Sequence, residues 1–240
     1  MIVKFDTYNE SVRDFLKPKP KEDIIASLGT LSPRKKYDKL ITKGMANLLP
    51  KEEVKKLIKK YHTPEFEFAE IFNHKLKKYY TKKELKEILD DMRPYNKVEQ
   101  IFYRKLQNLY TPEEIHDMIK ELSPNEKVIL GIDNDMIDLV REGLKRANKT
   151  LLPVYAARAL MWSKIEITKE IVAKGANLEN SNFSLCLGQA CRNKKYETIE
   201  YLASLGIKVN WETYEYLEEH KQYQKVLEIL KKYENVDIES

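Results

Sequence analysis

Five prolines divide this chain into nearly equal lengths. Pro33, Pro64, Pro94, Pro124 and Pro153 stand 31, 30, 30 and 29 residues apart. A constant period of this size marks a repeat architecture, in which no copy can bury its apolar face alone and neighbours stack to do so. Ser32, Thr63 and Ser123 precede three of the prolines. Proline in the first helical turn gives up no hydrogen bond, and a hydroxyl just before it caps the free amides. Counted from the first four prolines, the fourth residue is Tyr37, Phe68, Val98 or Val128, and the eighth is Ile41, Phe72, Phe102 or Ile132. The twelfth is Met45, Leu76, Leu106 or Met136. These spacings predict a helix of about 14 residues after each proline, with one apolar stripe.

A second signature keeps the same period out of phase with the first. Pro20-Lys-Glu-Asp-Ile24, Pro50-Lys-Glu-Glu-Val54, Thr81-Lys-Lys-Glu-Leu85 and Thr111-Pro-Glu-Glu-Ile115 recur at 30, 31 and 30 residues. Acidic residues suit the positive end of a helix dipole. Apolar residues follow four places later at Leu28, Ile58, Leu89 and Ile119. Each unit therefore reads as two helices, the second of roughly 10 residues.

From about residue 124 the pattern changes. The segments 165–178 and 196–209 align at an offset of 31, each with a helix ended by Gly175 or Gly206. Glycine is the residue best able to take the left-handed C-terminal position. Small residues, Ala159 and Ala190, stand sixteen before each glycine. The stretch 125–235 resembles ankyrin repeats, with a short first helix, a second helix and a turn. It departs from that family in its period of 31 and in lacking the usual opening motif, of which Leu152-Pro153-Val154 is the nearest trace.

The expected fold is all-α, an α-solenoid of stacked helix-turn-helix, ankyrin-like repeats with a period of 29–31 residues. Lys-rich helical repeats with a cap would occupy 1–123, and ankyrin-like repeats with a C-terminal cap 124–240, as one continuous solenoid. The N-terminal cap is read at residues 1–20, with Val12, Phe15 and Leu16 on one side of a helix over Asn9–Leu16. The C-terminal cap is read near Gln222–Tyr233.

Composition narrows the function. The 240 residues are 42% apolar and 34% charged. Mean hydropathy is −0.60, and no apolar run approaches the ~18 residues of a membrane span. The N-terminus lacks the apolar stretch of a secretory signal. Two cysteines, Cys186 and Cys191, fit a reducing compartment. The expectation is a cytoplasmic protein, in the host cytoplasm if the chain is viral. Residues 1–90 carry a net charge of +7 and the remainder −2, with 35 lysines against 8 arginines overall. The wealth of Lys, Tyr, Asn and Ile is common in AT-rich genomes, including those of many viruses.

Catalytic templates fail one after another. His62, His74, His116 and His220 are scattered, and no pair of metal-ligand spacing occurs. Seven glycines form no phosphate loop. Cys186 and Cys191 point apart on a helix and read as core residues. Asp133-Asn134-Asp135 lies between helices and reads as a capping segment. No enzyme activity, metal or cofactor is expected.

Binding is the remaining class. The resemblance implies that partners meet the exposed first-helix positions on the concave surface, which here are Arg158, Met161, Trp162, Gln189, Arg192 and Asn193. Tryptophan beside arginine is a composition typical of binding hot spots, and a partner protein with an acidic surface would suit it. The expected function is a non-enzymatic protein-interaction module, with a virus- or phage-encoded inhibitor of a host factor as its specific form. The alternative is nucleic-acid binding through a basic patch of Lys51, Lys55, Lys59, Lys78 and Lys82 in the N-terminal half, with Tyr61, Tyr79 and Tyr80 available for stacking on bases.

Overall fold

The computed structural model of the chain describes residues 26–60, 63–179 and 181–233. The cap expected at 1–20, the segment Pro20–Ile24, and Tyr61 and His62 lie outside them. Among the described residues the structure is all-helical, with no β-strand. The chain divides into two compact units, Met1–Lys97 and Val98–Ser240. The change of character read at residue 124 falls inside the second.

In the first unit, α1 (Pro33–Tyr37) runs on as a π-helical turn (Asp38–Thr42), and a 3-10 turn (Ala46–Leu48) leads to α2 (Lys51–Lys59). The order repeats as α3 (Pro64–Asn73), a 3-10 turn (Leu76–Tyr79) and α4 (Lys82–Asp90), and α5 (Pro94–Tyr103) starts the next copy. The second unit continues with α6 (Pro112–Lys120), α7 (Pro124–Asp133), α8 (Ile137–Leu144), α9 (Leu152–Met161) and α10 (Ile165–Ala173). It ends with α11 (Ser181–Arg192), α12 (Tyr196–Ser204), α13 (Trp211–Glu219) and α14 (Gln224–Lys232).

The helix starts fall at the prolines, but of Ser32, Thr63 and Ser123 before them only Ser123 caps, since Ser32 and Thr63 accept no helix amide through their side chains. Thr81, Thr111 and Ser123 each accept the amide of the glutamate three residues on, and that glutamate accepts the capping residue's own amide. Such caps contribute ~1 kcal/mol each.

The helix ends correct the sequence reading. The helices α3, α5 and α7 are 10 residues long rather than 14. Each is closed by a left-handed residue, Lys75, Lys105 or Asp135, at φ of 57°, 55° and 60°. The series extends to Gly44, Ser163 and Lys194, so one left-handed residue follows the first helix of six successive copies at intervals of 28–31, and α13 departs from it, ending at His220 with φ −120°. The amides of Leu106, Met136, Lys164 and Lys195 then turn back to the carbonyls of Ile101, Gly131, Ala159 and Ala190 at 2.8–3.0 Å. This satisfies the orphan carbonyls at the helix end.

Burial follows the fourth and the seventh-to-eighth positions of each stripe. Phe68, Val98 and Val128 are fully buried, as are Ile71 and Ile101. Phe72 and Phe102 are half-buried instead. A core of Leu28, Leu40, Ile41, Val54 and Ile58 fills the first unit. Another, running from Val128 to Leu230 and including Phe183 and Leu187, fills the second. Each such side chain contributes ~1.5–3 kcal/mol on burial. Helices α7 and α8 cross closely: a Cβ at Gly131 would stand 2.7 Å from Val140 Cγ2, and one at Gly143 2.7 Å from the Pro124 carbonyl oxygen.

Candidate functional site

Repeat stacking sets equivalent positions side by side, and the polar contacts record it. Lys55 meets Glu84, Asn96 meets Glu65, Arg141 meets Glu170, and the Tyr223 hydroxyl donates to the Arg192 carbonyl. The partners are 29–31 residues apart, one repeat.

In the second unit, α9, α11 and α13 each leave one face open. Val154, Leu185 and Tyr216 succeed one another at an interval of 31, and they are 52%, 68% and 39% exposed. Met161, seven residues beyond Val154 and so on the same side of α9, is 56% exposed. Isolated exposed apolar residues are ordinary, whereas a row at one structural position is a patch that water solvates poorly.

The residues singled out from the sequence divide among three places. Arg158 grips Asp133 with two hydrogen bonds, Nε to Oδ1 at 2.7 Å and Nη2 to Oδ2 at 2.6 Å. Its guanidinium fork is therefore occupied by the preceding repeat. Met161, Gln189 and Asn193 line one small depression between α9 and α11, and the Asn193 amide caps the Gln189 carbonyl at 3.0 Å. Gln189 and Arg192 also line a groove of about 580 Å³ with Leu185, Asn210 and Thr213. The Arg192 guanidinium lies 6.0 Å from the centre of the Tyr216 ring, and that ring packs on His220 and Tyr223. Trp162, 63% exposed, lines a separate groove with Glu197, Glu200 and Tyr201. Met161, Gln189, Arg192 and Asn193 therefore line two depressions that share Gln189, and Trp162 lines neither. The row of Val154, Leu185 and Tyr216 was not singled out from sequence, although its constant interval was visible there.

The lysines of the first unit are less uniform than their number suggests. Lys55 is turned inward, its side chain 17% exposed, with its ammonium 2.6 Å from Glu84 and 3.1 Å from Glu52. The hydrogen bonds to these two carboxylates raise its pKa. Lys78 lies 5.3 Å from the Tyr79 ring centre. Lys51 and Lys82 are exposed at the first positions of α2 and α4, and Lys59 is exposed at the end of α2. Tyr79 is buried, so its ring is not presented for base stacking, and the Tyr80 ring already faces the Lys55 ammonium at 5.6 Å.

Among the described residues no group of three or more His, Cys, Asp or Glu could hold a metal ion. Burial pushes the Cys191 thiol up to about 12, and it also raises that of Cys186. Among the described residues, no helix is long and apolar enough to cross a membrane. The class these features define is an all-helical protein with repeat-like organisation. No family model, curated protein or solved structure matches the chain.

Proposed function

We propose that this chain is a non-enzymatic protein-binding module of ankyrin-like helical repeats, and that its partner docks on the open faces of α9, α11 and α13. The observation that carries this reading is the row of Val154, Leu185 and Tyr216, exposed at the same position of three successive repeats. Covering the exposed half of such a side chain yields about half of the ~1.5–3 kcal/mol of full burial, so the three together can anchor an interface. Arg192 beside Tyr216 and the amides of Gln189 and Asn193 supply a polar rim. The preferred partner is an acidic surface with an apolar notch. Arg158 supports the face by its pairing with Asp133 rather than by gripping the partner. The form of a virus- or phage-encoded inhibitor rests on composition alone.

Nucleic-acid binding through the first unit is the weaker reading, because Lys55 is neutralised by carboxylates of its own chain. Salt separates the two. Phosphate contacts release counterions and lose affinity steeply as salt rises, whereas an apolar interface does not. Partner capture from the native cell at two salt concentrations, with and without nuclease, tests the choice. A partner lost on nuclease treatment would overturn the protein-binding reading.

A further inference from the structure

The first unit holds a groove of about 480 Å³ among α2, α3 and α4, within the size range of small-ligand sites. Its wall includes Glu67, only 8% exposed, for which no described side chain provides a hydrogen bond or a close ion pair. Nearby, the Tyr80 hydroxyl is buried without a partner. Charged side chains are seldom this buried without a paired group, so a carboxylate that faces a cavity with none requires an explanation. Burial raises the Glu67 pKa, Lys59 opposes this, and Asp91 adds to it.

Carboxylates outnumber ammonium groups around the groove, five to three, and Lys55 is already held between Glu52 and Glu84. An anion would therefore meet net repulsion. Lys55 also shows what the groove accepts: its ammonium sits against Glu84 and 5.6 Å from the centre of the Tyr80 ring, combining an ion pair with a cation–π contact. The end of the groove at Glu67 and Asp91 offers similar chemistry.

We propose that this groove is a binding site for an alkylammonium group, which would place its N–H donors on the Glu67 and Asp91 carboxylates. The group could come from a free polyamine or from a lysine side chain of a peptide, since both present the same cation on a flexible alkyl stem.

Calorimetric titration of the full chain at low salt tests this, with spermidine and an uncharged-end lysine pentapeptide as probes and the acetyl-lysine form of the peptide as control. At least one ammonium probe should bind while the acetylated peptide does not. Tighter spermidine binding assigns a free polyamine, and tighter peptide binding assigns a protein lysine. Glu67→Gln should weaken binding by about tenfold or more, and Asp91→Asn, an exposed position, should weaken it with the helical spectrum unchanged. Lys59→Met should strengthen binding by removing a competing ammonium. Failure of both ammonium probes to bind the unaltered chain, equal binding of the acetylated peptide, or unchanged affinity in Asp91→Asn together with folded Glu67→Gln would overturn the proposal.

Discussion

Gly143→Ala tests the close crossing of α7 and α8 in the second unit. In an unobstructed helix the change would stabilise by ~0.5–1 kcal/mol, because glycine has more backbone freedom to lose. Here the new Cβ would stand 2.7 Å from the Pro124 carbonyl oxygen, 2.7 Å from Val128 Cγ2 and 3.0 Å from the Val128 nitrogen. A backbone carbonyl cannot rotate out of the way, so α8 must move off α7, and forced overpacking costs ~1–3 kcal/mol. Gly188→Ala in α11 supplies the control, since its nearest neighbour would be Thr213 Oγ1 at 3.5 Å, an ordinary contact. The propensity gain is common to both variants, so their difference reports the clash, ~1–3 kcal/mol in favour of Gly188→Ala. Urea unfolding followed by circular dichroism, with unchanged slope, measures it. If Gly143→Ala is as stable as Gly188→Ala, the close crossing is wrong.

Three further outcomes follow from the first unit and the thiols. Phe68→Ala removes a fully buried ring that lies 4.8 Å from Phe72, and chemical denaturation should show a loss of ~3–5 kcal/mol; a loss near zero would put the stripe in solvent. Hydrogen bonds from Lys55 and from the Thr81 backbone and hydroxyl hold the Glu84 carboxyl at about 2. Its folded value is depressed, so the stability it contributes is complete above the ordinary 4.5 and is lost as pH falls towards 2. Both partners keep some solvent exposure, so the ion pair itself contributes only ~0.2–1 kcal/mol, and Glu84→Gln should flatten the acid limb of the stability profile; an unchanged limb would refute the pairing. Iodoacetamide should label Cys191 only on unfolding, because its thiol is buried and raised to about 12; rapid native labelling would contradict its burial.

Much of this fold was legible because its punctuation is local. Proline in the first turn fixes a helix start whatever surrounds it, and α3, α5 and α7 begin at Pro64, Pro94 and Pro124. The ends were not legible, because Lys75, Lys105 and Asp135 occupy left-handed positions where glycine would have been the signal. Gly175 and Gly206 were found for that reason. The close approach at Gly131 and Gly143 depends on which faces of α7 and α8 meet, and each helix's own periodicity does not specify that. The candidate surface shows the same limit. The resemblance implied open positions at Met161, Gln189, Arg192 and Asn193, but Arg158 pairing with Asp133, and Trp162 lining another groove, depend on contacts between repeats.

The central claim is that the open faces of α9, α11 and α13 bind a protein. Its most direct test is capture from nuclease-treated native extract, comparing the unaltered chain with the triple variant Val154→Ser, Leu185→Ser, Tyr216→Ser. All three positions are exposed, so the variant should keep its helical spectrum, with a lower unfolding midpoint because Tyr216 leaves His220 and Tyr223. The account predicts that the captured protein survives nuclease and high salt with the unaltered chain and is lost with the variant. Retention by the folded variant, or release by nuclease alone, would contradict it.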